Sequence, residues 1–358
     1  MKRRTTRTVT VGDLQLGSDY PIRVQSMTCT DTDDAGATIA QMQEMIEAGC
    51  ELVRVTVNND RAADALGEIR AACSVPLVAD IHFTHRLALR SIDAGVDKVR
   101  LNPGNIGSRD RVREVVRAAD AANIALRIGV NSGSVEKDLL EKYGWPSPEA
   151  MVESAKRHCA TVEDMGFGNL VVSLKSTDTN TVLQANRQFA AETDIPLHLG
   201  VTEAGRGTYG SLKSAVGLGS LLLDGIGDTI RVSLTGDPVS EIPVAYDILK
   251  ASGARVTSPE LISCPTCGRI EIDLEALMNE LEERLEGEVV PVKIAVLGCV
   301  VNGPGEASEA DIGIAGGGGK GILYRNGEQV RVVPEAEMVD ALLEEIEKWK
   351  NEIDPLKV

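Results

Sequence analysis

The sequence predicts a (β/α)8 barrel followed by a small α+β domain. Three observations predict it. Eight short aliphatic runs recur along the first part of the chain, at 22–27, 52–57, 77–81, 98–101, 125–130, 170–174, 197–201 and 229–234. Ala-rich amphipathic stretches separate them, such as 37–48, 62–72 and 109–122. After the Ala251-Ser252-Gly253 segment the pattern changes in kind.

Continuous aliphatic strands alternating with helices are parallel strands buried on both faces. Eight such units in roughly 250 residues match a closed barrel. An open doubly wound sheet is the alternative. No GxGxxG follows the first run, which favours the barrel. Residues 5–16 precede the first unit and alternate around Gly12-Asp13. That reads as a hairpin capping the barrel floor.

Beyond the barrel, 258–265 leads into a helix at 274–285 with Leu274, Leu277, Leu281 and Leu285 on one face. A strand at 293–296, a Gly-rich loop and a strand near 312–315 follow. A hairpin over 324–333 turns at Asn326-Gly327, and an acidic helix covers 335–351. The domains are therefore 1–254 and 255–358. A chain of 358 residues with 43% apolar content supports two cores, and 3% aromatics makes them aliphatic.

The net charge is −17, which disfavours nucleic acid and anionic membranes as partners. From Val256 onward there are 9 basic and 21 acidic residues, net −12; the first 255 residues carry 28 and 33, net −5. Seven cysteines form an odd set in a chain too long to need disulfide staples. The basic N-terminus lacks the apolar run of a secretory signal, and no window suits a membrane span. A reducing cytoplasm is the expected location.

Barrel enzymes place their chemistry at the C-terminal ends of strands. Those ends are densely polar here. They carry Arg54, Asp80, His82, Arg100, Asn102, Arg127, Asn131, Ser173, Lys175, His198, Thr202, Glu203, Arg231 and Ser233. Four arginines and a lysine from different strands converging on one mouth point to a polyanion, with two phosphoryl groups the fitting size. Structural ion pairs with Asp80, Glu203 or Asp97 are the alternative for individual arginines. Lys175 also suits a Schiff base, but its arginine neighbours favour a phosphate contact. Glu203 is the acid–base candidate. His198, in mid-strand, reads more as a core histidine than His82 does.

Cys264-Pro-Thr-Cys267 is a CxxC, and Cys299 follows 32 positions later. No histidine lies beyond His198, so this domain lacks the four N/S ligands of structural zinc. Three thiolates plus one further ligand suit an iron–sulfur cubane better than zinc or a thioredoxin-like pair. Glu306, past a Gly-Pro-Gly turn, is the nearest acidic residue. Cys50, Cys73 and Cys159 read as packing residues, and Cys29 lies near the mouth.

These motifs resemble the bacterial 4-hydroxy-3-methylbut-2-enyl diphosphate synthases of the non-mevalonate isoprenoid pathway, in their two-domain form. The resemblance rests on VQSMT (24–28), VADIHF (78–83), NPGNIG (102–107), RIGVNSGS (127–134) and EKDLLEKYG (136–144). It continues through HLGVTEAG (198–205), KSAVGLG (213–219), GIGDTIRVSL (225–234), SCPTCGR (263–269) and GCVVNGPGEA (298–307). Cys29 stands where asparagine is expected. The resemblance implies a [4Fe-4S] cluster on Cys264, Cys267, Cys299 and Glu306. It implies reductive ring opening of 2-C-methyl-D-erythritol 2,4-cyclodiphosphate, with electrons from flavodoxin or ferredoxin. Arg54, Arg100, Asn102, Arg127, Asn131, Lys175, Arg231 and Ser233 would hold the diphosphate, with Asp80 and His82 nearby and Glu203 at the reacting carbon. It also implies a homodimer in which the barrel of one subunit meets the cluster domain of the other.

Overall fold

The computed structural model describes residues 2–82 and 84–352. Phe83, the last residue of the VADIHF stretch, lies outside them. The chain divides into two compact units, Met1–Arg255 and Val256–Val358.

The first unit opens with a hairpin, β1 (Val9–Val11) and β2 (Leu14–Leu16), antiparallel and turning at Gly12-Asp13. Gly12 has φ +60°, and a Cβ there would meet the Asp97 carboxylate at 2.9 Å, so the turn requires glycine. Val9, Val11 and Leu16 pack on Leu52, Val78, Ala125 and Val171 and close the barrel floor.

Eight parallel strands follow. They are β3 (Arg23–Met27), β4 (Leu52–Thr56), β5 (Leu77–Asp80), β6 (Lys98–Leu101), β7 (Ala125–Asn131), β8 (Leu170–Lys175), β9 (His198–Leu199) and β10 (Thr229–Ile230). They pair in the order β8-β7-β6-β5-β4-β3-β10-β9, and the bridge Val172↔Leu197 closes the ring. Helices between them cover the outer face with Leu66, Ile69, Val115 and Leu218. Several helices start on side-chain caps: Asp34, Asn59, Ser147 and Asp178 each accept an N–H three residues on.

Strand side chains alternate between faces. Val53, Val55, Val99, Ile128 and Val172 therefore face the helices, while Arg54, Arg100, Arg127 and Ser173 face the lumen. The register sets Met27 opposite Arg54, Asp80 opposite Arg100, Arg100 opposite Arg127, and Asn131 opposite Lys175.

The second unit is a five-stranded sheet: β11 (Glu260–Ser263), β12 (Lys293–Leu297), β13 (Ile312–Gly317), β14 (Lys320–Arg325) and β15 (Glu328–Pro334). The first three are parallel, and β13, β14 and β15 are antiparallel neighbours. The helices Leu274–Arg284 and Met338–Glu352 pack Leu281, Leu342 and Ile346 against Ile294, Ile312 and Leu323. Asn326 and Gly327 both take positive φ, as a two-residue hairpin turn demands.

Two departures from the sequence reading lie here. Residues 260–263 form a strand rather than a lead-in, since ELIS is half-exposed and its strand character comes from pairing with β12. The glycine-rich stretch contains a short helix, Gly303–Ser308, with Pro304 in its first turn.

Candidate active site

The lumen-facing ends of the strands enclose a cavity of about 290 Å³. Its wall includes Arg54, Asp80, His82, Arg100, Arg127, Asn131, Lys175, Arg231 and Ser233. Nine of the eleven barrel residues expected from sequence thus share one chamber. Asn102 and Glu203 are not among its lining residues. Asn102 is buried, and its Oδ1 accepts the Gly104 N–H at 3.0 Å to cap the turn Pro103–Ile106. Glu203 is exposed, with φ +53°, on the loop that begins with Thr202 of the wall.

The cations are only partly paired. Asp80 accepts from Arg100 Nη1 at 3.0 Å and lies 3.6 Å from Arg54 Nε. Burial works to raise the Asp80 pKa, but Arg54, Arg100 and Arg127 outweigh it and hold the carboxyl well below its ordinary range. Burial pushes Arg54 down to about 10, against the pull of Asp80. Arg231 is held by Glu241 (Nε–Oε2 3.1 Å), which also accepts from Ser26 Oγ and the Leu234 N–H. Glu203 and Asp97 do not take these arginines; Asp97 binds Arg70 and the Leu77 N–H instead.

Arg127 is 1% exposed, and its Nε and Nη1 have no partner. Burial first, then Arg54 and Arg100, work against its charge. Lys175 is likewise depressed, by burial and then by Arg127, Arg54, Arg231 and Arg100. A chamber with this surplus of positive charge takes an anion with several oxygens.

Lys98 was not singled out from sequence. It lies two residues before Arg100, fully buried, with no partner for Nζ. Burial and then Arg127 push its pKa well down. A group depressed on folding costs stability wherever the unfolded lysine is protonated, below about pH 10.4. Lys98→Met is therefore expected to stabilise the protein by on the order of 1–4 kcal/mol at neutral pH. The gain should shrink as pH rises toward that limit; thermal unfolding across pH checks it, and a loss at pH 7 would refute it.

A second polar cavity of about 370 Å³ adjoins the first through Thr56 and includes Cys29. Cys50, Cys73 and Cys159 are buried, and burial raises their thiols, to about 12 for Cys50 and Cys159. They are packing residues whose burial disfavours the thiolate.

In the second unit the three remaining cysteines sit on β-strand ends and loops. Cys264 Sγ accepts the Gly298 N–H at 3.3 Å. Cys267 is lowered by the Arg269 N–H and then its guanidinium. Cys299 is lowered by the N–H groups of Asn302 and Val301. Each sulfur therefore has a main-chain hydrogen-bond donor, and at Cys267 and Cys299 these donors favour the thiolate. Glu306 is exposed on Gly303–Ser308. Among the described residues no three His, Cys, Asp or Glu side chains gather tightly enough for a single metal ion. The donor chemistry, three free thiols with no histidine beyond His198, is that of an iron–sulfur site rather than of a closed zinc site with four N/S ligands.

Known proteins bear out the family. Residues 6–246 match the GcpE TIM-barrel domain and 260–348 the GcpE protein C-terminal domain. A 4-hydroxy-3-methylbut-2-en-1-yl diphosphate synthase (flavodoxin) of Nitratidesulfovibrio vulgaris is 56% identical over 350 residues, 98% of this chain and 91% of that protein. Its counterpart in Listeria monocytogenes is 54% identical over 356 residues, 99% and 97% of the two chains. Among solved structures, the sialic acid synthetase of Leptospira borgpetersenii covers 80% of this chain and 99% of its own at TM-score 0.50 and 9% identity, a likeness of fold alone. With both halves matched in order and full-length relatives above half identity, the chain belongs to the GcpE family.

Proposed function

We propose that this protein is a 4-hydroxy-3-methylbut-2-enyl diphosphate synthase. It opens the ring of 2-C-methyl-D-erythritol 2,4-cyclodiphosphate reductively, taking up two electrons and two protons and losing one water. The observation that carries this is the cavity with Arg54, Arg100, Arg127, Lys175 and Arg231 in a chain whose relatives carry that name.

In this reading residues 1–254 bind the diphosphate and 255–358 hold a [4Fe-4S] cluster. Arginine forks take phosphoryl oxygens bidentately, while Asn131 and Ser233 complete the shell. Because these charges are already in place, they stabilise the diphosphate as its C–O bond breaks without reorganising. Asp80 holds Arg54 and Arg100 apart and oriented. His82 and Asn102 remain near this set, His82 on the wall and Asn102 through the turn it caps. Glu203, beside Thr202, is the proton-handling residue of the proposal. Cys264, Cys267, Cys299 and Glu306 would hold the cluster, which supplies electrons one at a time.

The relatives' names support flavodoxin as donor, with ferredoxin the equivalent small carrier. A homodimer is supported by the exposed stripe Tyr209, Leu212, Val216 and Leu223 along one face of the helix Gly207–Leu223. No described helix is long and apolar enough to cross a membrane. The free thiols suit the cytoplasm.

The test is anaerobic reconstitution with iron and sulfide, then turnover of the cyclodiphosphate with reduced flavodoxin. Product is expected. A full cluster with no product would overturn the assignment. Borohydride trapping of a phosphorylated carbonyl on Lys175 would instead support an aldolase.

A further inference from the structure

We propose that His198 and Gly200 are positioning residues that seat Lys175 for the diphosphate. The inference rests on the functional reading above, and it begins from strand geometry. His198 lies in β9 and Gly200 follows that strand two positions on, so both face the same side, where Lys175 lies. Lys175 ends the neighbouring strand β8.

The Lys175 Nζ lies 3.2 Å from His198 Nε2, and His198 Nδ1 lies 2.8 Å from Thr229 Oγ1. His198 is 0% exposed, so water does not compete for either contact. With Lys175 as the ammonium that a diphosphate calls for, Nζ offers only hydrogens, and Nε2 is then the accepting nitrogen. The ring proton then sits on Nδ1 and is donated to Thr229. This tautomer makes a chain in which Thr229 orients His198 and His198 orients Lys175. Burial, and after it Lys175, Arg127, Lys98 and Arg54, keep the imidazole neutral. A neutral ring accepts from a cation where a charged one would repel it.

Gly200 forms the other side of the seat. A Cβ at that position would stand 2.5 Å from Lys175 Nζ and 2.9 Å from Cε. It would also lie 3.1 Å from the Arg231 carbonyl oxygen, so the methyl has no room to recoil into the backbone. An alanine there lifts the ammonium off His198.

The physical consequence is pre-organisation. A lysine side chain carries several freely rotating bonds, and a fixed acceptor removes that rotamer freedom before ligand arrives. His198 touches no reacting atom in this scheme; it acts through Lys175.

Inorganic pyrophosphate is the probe, titrated by calorimetry into the reconstituted holoenzyme. His198→Phe should weaken binding roughly tenfold, the size of one charge-assisted hydrogen bond. His198→Gln, which keeps a neutral acceptor, should recover part of that loss. Gly200→Ala should weaken binding while leaving the His198 contact to Thr229 intact. In a Lys175→Met background, His198→Phe should add nothing, because two residues acting through one contact are not additive. Equal losses in both backgrounds would overturn the proposal. So would nitrogen NMR showing His198 protonated on Nε2, whether or not the protein is active. Should wild-type protein bind no pyrophosphate and turn over no cyclodiphosphate, the functional reading fails, while the tautomer still decides the seat of Lys175.

Discussion

Replacing Arg127 by methionine is expected to raise the melting temperature of the ligand-free protein and to lower kcat/KM by about a hundred- to a thousandfold. The two effects have opposite signs for one reason. Arg127 is buried with Nε and Nη1 unpartnered, and its neighbours on the lumen face are Arg54, Arg100 and Lys175. Its guanidinium stays charged at any ordinary pH, so the folded protein bears the desolvation and the repulsion together. Methionine reaches about as far as Nε, fills the stem's space, and carries none of that burden. A gain on the order of 1–4 kcal/mol is the usual scale for replacing a buried charge with a packed apolar chain. A diphosphate reverses the balance, because its oxygens supply the missing partners. The wild-type protein should therefore gain more than the variant in melting temperature when pyrophosphate is added. A variant that melts lower than wild type without ligand would show that Arg127 already has compensation in the folded chain.

Burial decides what could be read from the sequence and what could not. Parallel strands buried on both faces must be aliphatic, so 52–57 and 77–81 announce themselves. The runs at 197–201 and 229–234 contract to His198–Leu199 and Thr229–Ile230. Part of the main chain there is taken by a side chain: the Leu197 N–H goes to the Asp228 carboxylate at 2.8 Å. Charged residues at strand ends are visible because hydrophobic runs make them stand out. Glu241 is not, since it opens a helix ten residues after Arg231 and no periodicity links the two. Lys98 was hidden by its place at the start of a strand, where a lysine ordinarily reaches solvent. Asn102 and Glu203 follow their strands closely, yet neither side chain lines the cavity, for reasons of local backbone that no periodicity shows. Asn102 turns back to cap Gly104, and Glu203 takes a left-handed φ. Lumen glycines are silent in the sequence because clearance is a property of two strands, and neither strand's own residues reveal its neighbour's.

Alanine at Cys264, Cys267 or Cys299 is expected to abolish cluster assembly and turnover, while pyrophosphate affinity stays at the wild-type value. The two sets of residues belong to different units. The cationic wall is built wholly within Met1–Arg255, and the three thiols lie within Val256–Val358. Each sulfur has its own main-chain donor, from Gly298 to Cys264, from Arg269 to Cys267, and from Val301 and Asn302 to Cys299. Losing one cysteine leaves its donors without the sulfur they serve, and it leaves too few sulfur ligands for a stable cubane. Glu306→Ala differs. The glutamate is exposed and all three thiolates remain, so iron and sulfide should still bind, at reduced occupancy and with faster loss to chelators. Iron and acid-labile sulfide content, visible absorption and pyrophosphate calorimetry on the same preparations check each point. Full iron content in a Cys299→Ala protein would remove that residue from the ligand set. A fall in pyrophosphate affinity would mean instead that the acidic unit contributes to the phosphate site.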